Sequence, residues 1–131
     1  MKIVSQRDRT GCGLACVAMV TGQTYYQVRR KYHVNHKVNK IAFDYSTNAR
    51  DLHNLSELVS PKMISVKKWD TIPDFAIVAI GNRKSGGWHW VVFERKDGIG
   101  VFYDPWKVKV RTDFGRVNLK AYVPIKGKKR R

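Results

Sequence analysis

The Asp97-Gly98 dipeptide is the feature that most constrains how this chain can fold. It lies between two runs rich in aromatic and β-branched residues, 88–94 and 99–103. Asp-Gly in such a setting favours a two-residue hairpin turn, because that turn needs a positive φ at both central residues. The sequence therefore predicts two antiparallel strands joined at this dipeptide.

The turn also sets how the two strands pair. If Asp97 and Gly98 are the two turn residues, the register places Val91 opposite Asp104. His89 is two residues from Val91, so its side chain lies on the same face, diagonal to Asp104. Diagonal neighbours are about 7–8 Å apart, within reach of each other's side chains. The hairpin thus predicts a histidine and an aspartate side by side on one face of a sheet.

Further strands are predicted on both sides of this hairpin. The apolar run 75–80 is typical of a buried strand. Residues 108–110 and 121–125 are also rich in apolar and β-branched side chains. The second half of the chain is therefore predicted to form an antiparallel sheet.

The first half is predicted to be helical. Residues 13–21 are apolar nearly all round, which predicts a buried helix, and Gly22 fits its C-terminal cap. A capping-box pattern at 24–27 opens a second helix that ends near His33. Residues 48–59 form a third candidate with one apolar face. Helices first and strands afterwards imply an α+β fold, with N-terminal helices packed on a C-terminal antiparallel sheet.

The length and composition indicate one globular domain. A chain of 131 residues, 43% of them apolar, is the size of a single domain with one core. We expect that domain to span residues 1–125 and a basic tail to follow at 126–131. No apolar run approaches the roughly 18 residues that span a membrane, and the N-terminus lacks the apolar segment of a signal peptide. These features predict a cytoplasmic protein with no membrane span.

The chain is strongly basic. Its 26 Lys and Arg residues exceed its 10 Asp and Glu residues and give a net charge of +16. Such a charge favours acidic partners, either an acidic protein or peptide or, nonspecifically, nucleic acid. The sequence contains no zinc-finger spacing, helix-turn-helix signature or RNA-recognition motif. Charge alone therefore leaves the class of partner open.

The two cysteines have different surroundings. Cys12 and Cys16 are four residues apart on one predicted helix, where a disulfide would need unfavourable geometry. The pair therefore fits a reducing compartment. Cys16 lies on the apolar side of the helix and reads as a core residue. Cys12 lies at the helix start, where free backbone N–H groups and the helix dipole stabilise a thiolate.

Cys12 has the neighbours that a catalytic thiol needs. His89 is the candidate base, and Asp104 is the candidate group that orients it. Gln6 carries a side-chain N–H that can bind an oxyanion together with the backbone N–H of Cys12. The glycine on each side of the thiol is expected to leave space for a substrate backbone. These residue types in this order predict a thiol hydrolase.

Three segments around these residues resemble a known family, the papain-like peptidase domains of bacteriocin exporters and their free-standing relatives. Residues 6–19 resemble the family's opening from Gln to Cys-Gly-x-Ala-Cys. Residues 77–92 resemble its histidine strand, and 101–105 resemble its Asp-Pro segment. The exporters cut double-glycine leaders and also carry membrane spans and an ATPase. This sequence has neither a span nor a Walker A motif.

The resemblance implies a papain-like fold and a role for each candidate residue. Cys12 would be the nucleophile, His89 the base, Asp104 the group that orients the base, and Gln6 part of the oxyanion hole. It implies a small cysteine peptidase that hydrolyses peptide or isopeptide bonds. The same fold also serves deamidation and acyl transfer. The alternative is a catalytically silent phage or mobile-element factor whose basic surface binds nucleic acid or an acidic host protein.

No metal or cofactor is predicted. His33, His36 and His53 come nearest to a ligand set, but no further ligand has a spacing that suits zinc. A separate motif, Gly86-Gly87, predicts a flexible loop beside the cleft, just ahead of His89.

Overall fold

Three helices open the chain and confirm the predicted order of elements. The computed structural model describes residues 1–36, 44–81 and 88–126. The helices are α1 (Cys12–Thr21), α2 (Tyr25–His36) and α3 (Ala49–Leu55). They pack on one antiparallel sheet, so the α+β prediction is confirmed.

Six strands form that sheet, in the spatial order β1-β6-β2-β3-β4-β5. They are β1 (Ile64–Ser65), β2 (Phe75–Gly81), β3 (Trp88–Lys96), β4 (Ile99–Asp104), β5 (Lys109–Arg111) and β6 (Asn118–Pro124). Every pair is antiparallel. The sequence did not predict β1, because two exposed residues carry no alternation of apolar and polar side chains.

The hairpin between β3 and β4 has the predicted turn and register. Asp97 and Gly98 both have positive φ, 53° and 79°. Phe93 pairs with Phe102, which is the pairing that a two-residue turn at this dipeptide requires. The face shared by the ends of the two strands is therefore as predicted.

The helical face of the sheet is built around α1. Residues 13–20 of this helix are all buried, as their apolar character predicts. Gly22 caps the helix in the left-handed conformation, and its N–H donates to Ala18 O. The sheet presents apolar side chains to the helices, among them Ile77, Ala79, Trp90, Val92, Tyr103 and Val123. This packing holds the start of α1 against β3.

The opposite face carries a second, aromatic core. Trp69, in a short 3-10 helix, stacks on Phe102 with 5.4 Å between ring centroids. Phe114, in a second 3-10 helix, contacts the rings of Trp69 and Phe102 at 4.7 and 5.3 Å. Two long sequence segments without predicted elements thus become the cover of this face.

The ends of α2 and α3 differ from the sequence prediction. Thr24 and Gln27 form the predicted capping box, but α2 continues beyond His33. Helix α3 ends at Leu55 rather than near residue 59. The backbone becomes extended at Ser56, whose N–H still donates hydrogen bonds to carbonyls of the last helical turn.

The chain leaves the sheet near the predicted domain boundary. The N–H of Lys126 donates to Leu58 O at 2.6 Å. Residues 127–131 lie outside the described residues, so the free basic tail stays a prediction. Within the three described ranges, no helix is long and apolar enough to cross a bilayer.

Replacing Gly98 with alanine tests how far the hairpin depends on its turn. Gly98 has open space around it, so the cost comes only from its positive φ. We expect Gly98→Ala to lower the free energy of unfolding by about 1–2 kcal/mol. Urea unfolding measures the change. The matched control is Gly115→Ala, which also meets open space but at an ordinary φ, and equal losses in both variants would contradict the turn assignment.

Candidate active site

Cys12 is the first residue of α1 and is partly exposed. The first N–H groups of a helix have no acceptor within the helix, so they favour a negative charge at this end. The backbone N–H of Trp90, in β3, donates to the sulfur of Cys12 at 3.4 Å. The thiol therefore lies where the buried helix meets the sheet.

The glycines beside the thiol have a different role from the expected one. A Cβ at Gly11 would lie 2.0 Å from the hydroxyl of Tyr25, which donates to an Asp8 carboxylate oxygen at 2.7 Å. A Cβ at Gly13 would lie 2.0 Å from the hydroxyl of Thr47. The expectation of open space was wrong here, because neighbouring side chains already fill it.

His89 links the thiol to Asp104. Its Nε2 lies 2.8 Å from Oδ1 of Asp104. Its ring also borders the thiol cavity together with Cys12. Burial lowers the pKa of His89, but the bond to Asp104 and the interaction with the Cys12 thiol raise it by more, to about 9. The ring is therefore held in its protonated form over the neutral pH range.

Asp104 is almost completely buried, at 1% exposure. Oδ1 accepts hydrogen bonds from His89 and from the backbone N–H groups of Trp106 and Lys107, at 2.9 and 3.2 Å. Oδ2 accepts one from Arg111 at 2.7 Å. Burial raises the pKa of Asp104, but the bonds from His89 and Arg111 outweigh it and hold that pKa well below its usual range. The carboxylate is thus ionised and fixed in place.

The sequence reasoning missed Arg111. It donates to both carboxylate oxygens of Asp113, at 2.9 and 2.7 Å, besides its bond to Asp104. These bonds, those to Asp113 above all, raise the pKa of Arg111. Strand β5 pairs back on β4, with Arg111 opposite Phe102 and so diagonal to Asp104, but the turn that sets this register has no signature in the sequence.

Gln6 lies beside these residues with its donors engaged. Its Nε2 donates to the carbonyls of Asp8 and Arg9, at 3.0 and 3.1 Å. Its backbone N–H donates to Pro105 O at 3.2 Å, which ties the N-terminal segment to the turn after β4. Its buried Oε1 has no hydrogen-bond partner in the described parts of the chain.

Two cavities adjoin the imidazole of His89. The first, of about 360 Å³, we call the thiol cavity; it is lined by Arg9, Thr10, Cys12, Ser46, Thr47, Trp88, His89 and Trp90. The second, of about 390 Å³, we call the Gln6 cavity; it is lined by Gln6, Arg9, His89, Asp104, Trp106, Lys107 and Arg111. A further cavity of about 940 Å³ lies at the other end of α1 and contacts none of the four candidate residues.

The three other histidines form hydrogen bonds within the helical layer. His33 bonds to the hydroxyl of Tyr45, His36 to Asp51, and His53 to a backbone carbonyl. Over residues 1–36, 44–81 and 88–126, no cluster of three or more side chains could hold a metal ion. The predicted Gly86-Gly87 loop lies outside the described residues.

Sequence comparison finds no match, whereas structural comparison finds a similar fold. No protein-family model matches the chain, and no curated protein matches it. The fold is similar to the crystal structure of the peptidase domain of Streptococcus ComA, a bi-functional ABC transporter involved in a quorum sensing pathway. The two share 20% sequence identity over 95% of this chain and 98% of that domain, with a TM-score of 0.57. The expected α+β fold, with helices packed on an antiparallel sheet as in that domain, is therefore confirmed.

Titration of His89 tests the electrostatics of this site. We expect its ring to titrate with a pKa of about 9, against 6.5 for an unperturbed histidine, and Cys12→Ser to lower that value. Since the folded pKa is the raised one, the stabilisation is complete below about pH 6.5 and is lost as pH rises through 9. NMR of the labelled ring measures the pKa of His89 in the wild-type protein and in Cys12→Ser. A wild-type pKa near 6.5 would contradict the hydrogen-bonded arrangement.

Removing Arg111 tests whether it neutralises Asp104. The two side chains are 11% and 2% exposed, so Arg111→Met leaves a buried carboxylate with less compensation. We expect the free energy of unfolding to fall by about 3 kcal/mol. The matched control is Arg116→Met, at an exposed arginine, with an expected change within about 0.5 kcal/mol. Equal effects of the two substitutions in urea unfolding would rule out the special role of Arg111.

Proposed function

We propose that this protein is a small cysteine peptidase that hydrolyses peptide or isopeptide bonds. The observation that carries the proposal is the grouping of three side chains: His89 hydrogen-bonds to the buried carboxylate of Asp104 and lines one cavity with Cys12, the first residue of a buried helix. An ionised carboxylate, an imidazole and a thiol in this order are the parts of a nucleophilic thiol catalyst. The fold shared with a peptidase domain supports the same reaction.

In the proposed reaction, His89 holds the proton that leaves the Cys12 thiol, and the thiolate attacks the substrate carbonyl carbon. The tetrahedral intermediate collapses as the carbon–nitrogen bond breaks, and His89 gives its proton to the leaving amine. Water then attacks the thioester and gives a proton to His89. The carbon–sulfur bond breaks, the acyl half leaves as a carboxylic acid, and His89 returns the proton to the sulfur. Asp104 keeps Nε2 of the ring engaged, so Nδ1 is the ring nitrogen left to exchange protons with the sulfur.

Gln6 is the proposed side-chain donor to the oxyanion, together with the backbone N–H of Cys12. In this structure, both hydrogen bonds donated by its side-chain amide go to the backbone carbonyls of residues 8 and 9. We propose that one N–H turns to the substrate oxygen when negative charge develops on it. Its burial in the cavity beside His89 supports this role.

The proposed substrate is an acidic protein or peptide, because the chain carries a net charge of +16. A field of this sign raises the local concentration of acidic partners at moderate salt. Both cysteines are free, which fits the proposed cytoplasmic location, where thiols stay reduced.

A catalytically silent binding protein is the second candidate. Two observations favour it: the same charge of +16, and a Gln6 whose amide donors are already engaged. Under this alternative the chain binds nucleic acid or an acidic protein through its basic surface. Affinity would then fall steeply with salt and would not change in Cys12→Ala.

Cleavage of a random peptide library, read by mass spectrometry, tests the peptidase proposal. We expect the wild-type protein to cut peptides and Cys12→Ala to lose at least about 1,000-fold in rate, because no nucleophile remains. His89→Ala should be similarly impaired. The control is Cys16→Ala, which removes the only other thiol and should keep its activity.

Labelling with iodoacetamide distinguishes an inactive site from an active site whose substrate is missing from the library. We expect alkylation of Cys12 that slows markedly in His89→Ala, because the proposed mechanism has the imidazole take the thiol proton. Undiminished cleavage by Cys12→Ala would refute the proposal. Slow labelling together with salt-sensitive DNA binding would favour the second candidate.

A further inference from the structure

The two cavities lie on either side of His89, which lines both of them. Only the thiol cavity is also lined by Cys12, and only the Gln6 cavity is also lined by Gln6 and Asp104. In thiol catalysis the acyl half of the substrate becomes bonded to sulfur, and the amine half takes its proton from the imidazole. The acyl half therefore belongs in the thiol cavity, and the amine half in the remaining one, the Gln6 cavity. The scissile carbonyl then lies where the two cavities meet at His89, and Gln6 would approach its oxygen from the Gln6 cavity.

The Gln6 cavity is also the more positively charged of the two. Arg9 and Lys107 line it together with Arg111, whereas Arg9 is the only Lys or Arg of the thiol cavity. Arg111 is already neutralised by two aspartates. Arg9 and Lys107 are exposed and form no ion pair with any described carboxylate. Two cationic side chains are thus left for a ligand.

The backbones of these two cations are held by the proposed catalytic residues themselves. The carbonyl of Arg9 accepts a hydrogen bond from Nε2 of Gln6, and the N–H of Lys107 donates to Oδ1 of Asp104. The backbone of each residue is therefore fixed relative to the catalytic network. Trp106, 59% exposed, adds an aromatic side chain to the lining of the same cavity.

We propose that the Gln6 cavity is a leaving-group subsite that selects a carboxylate, borne by the residue that follows the scissile bond. This inference rests on the proposed peptidase function and adds to it the side of the bond on which the substrate is acidic. Arg9 and Lys107 pair with the carboxylate as the amine half departs. The carboxylate comes from an Asp or Glu side chain or from a free chain terminus.

Matched peptides measure this selectivity. Each peptide that the library identifies as cut is remade with Glu, Gln or Lys after the scissile bond, and with a free or an amidated C-terminus. We expect kcat/KM for Glu to exceed that for Gln by about fivefold, with Lys poorest. In the double variant Arg9→Gln/Lys107→Gln the ratio should approach one, while Lys96→Gln, at the far end of β3, should keep it. If peptides with a free C-terminus are preferred over amidated ones, whatever residue follows the scissile bond, the chain terminus is the source of the carboxylate.

A competition assay tests the subsite without any substrate. Glu-Ala-amide and Gln-Ala-amide, which mimic the amine half, are each added while iodoacetamide alkylates Cys12. We expect the Glu peptide to slow alkylation at a concentration about fivefold lower than the Gln peptide, and the double variant to lose that difference. The proposal would be overturned if the two peptides protected the wild-type protein equally. It would also be overturned if peptides with Glu and Gln after the scissile bond were cleaved at the same rate. An uncut library with selective protection by the Glu peptide would instead refute hydrolysis alone and leave the carboxylate site standing.

Discussion

Asp104 is a carboxylate that is almost fully buried and that accepts hydrogen bonds from a ring nitrogen, two backbone amides and a guanidinium. A buried charge without such partners would cost several kcal/mol, so the surrounding chain is organised to supply them. The turn after β4 supplies two amides, β5 supplies Arg111, and β3 supplies His89. The end of the sheet is therefore shaped around one negative charge.

The nucleophile reaches this charge through two separate attachments. Helix α1 is apolar on every side, so it can lie only between the sheet and the other helices, and this places its first residue against β3. The N-terminal segment is tied to the same region by the bond from the backbone of Gln6 to Pro105. Residues distant in sequence thus converge because one helix has no polar face and one segment closes over the turn.

Much of the fold was predictable because its signals are local. The Asp97-Gly98 turn set the register of β3 and β4, and that register placed His89 beside Asp104. Arg111 was missed because its role depends on a second, irregular hairpin whose turn has no comparable signature. The open space expected beside the thiol was wrong as well. Tyr25 and Thr47 fill it from other elements, and their approach is invisible in the local sequence.

The sequence by itself determined the order of helices and strands, the burial of α1 and the pairing of the central hairpin. These follow from hydrophobic periodicity and turn stereochemistry, which act over a few residues. Only the tertiary structure decided three features of the site. The side-chain amide of Gln6 donates to carbonyls of its own loop, Asp104 is neutralised by Arg111, and the Gln6 cavity is cationic. Hydrogen bonds and charges between distant segments depend on distances in space, and those exist only once the chain has packed.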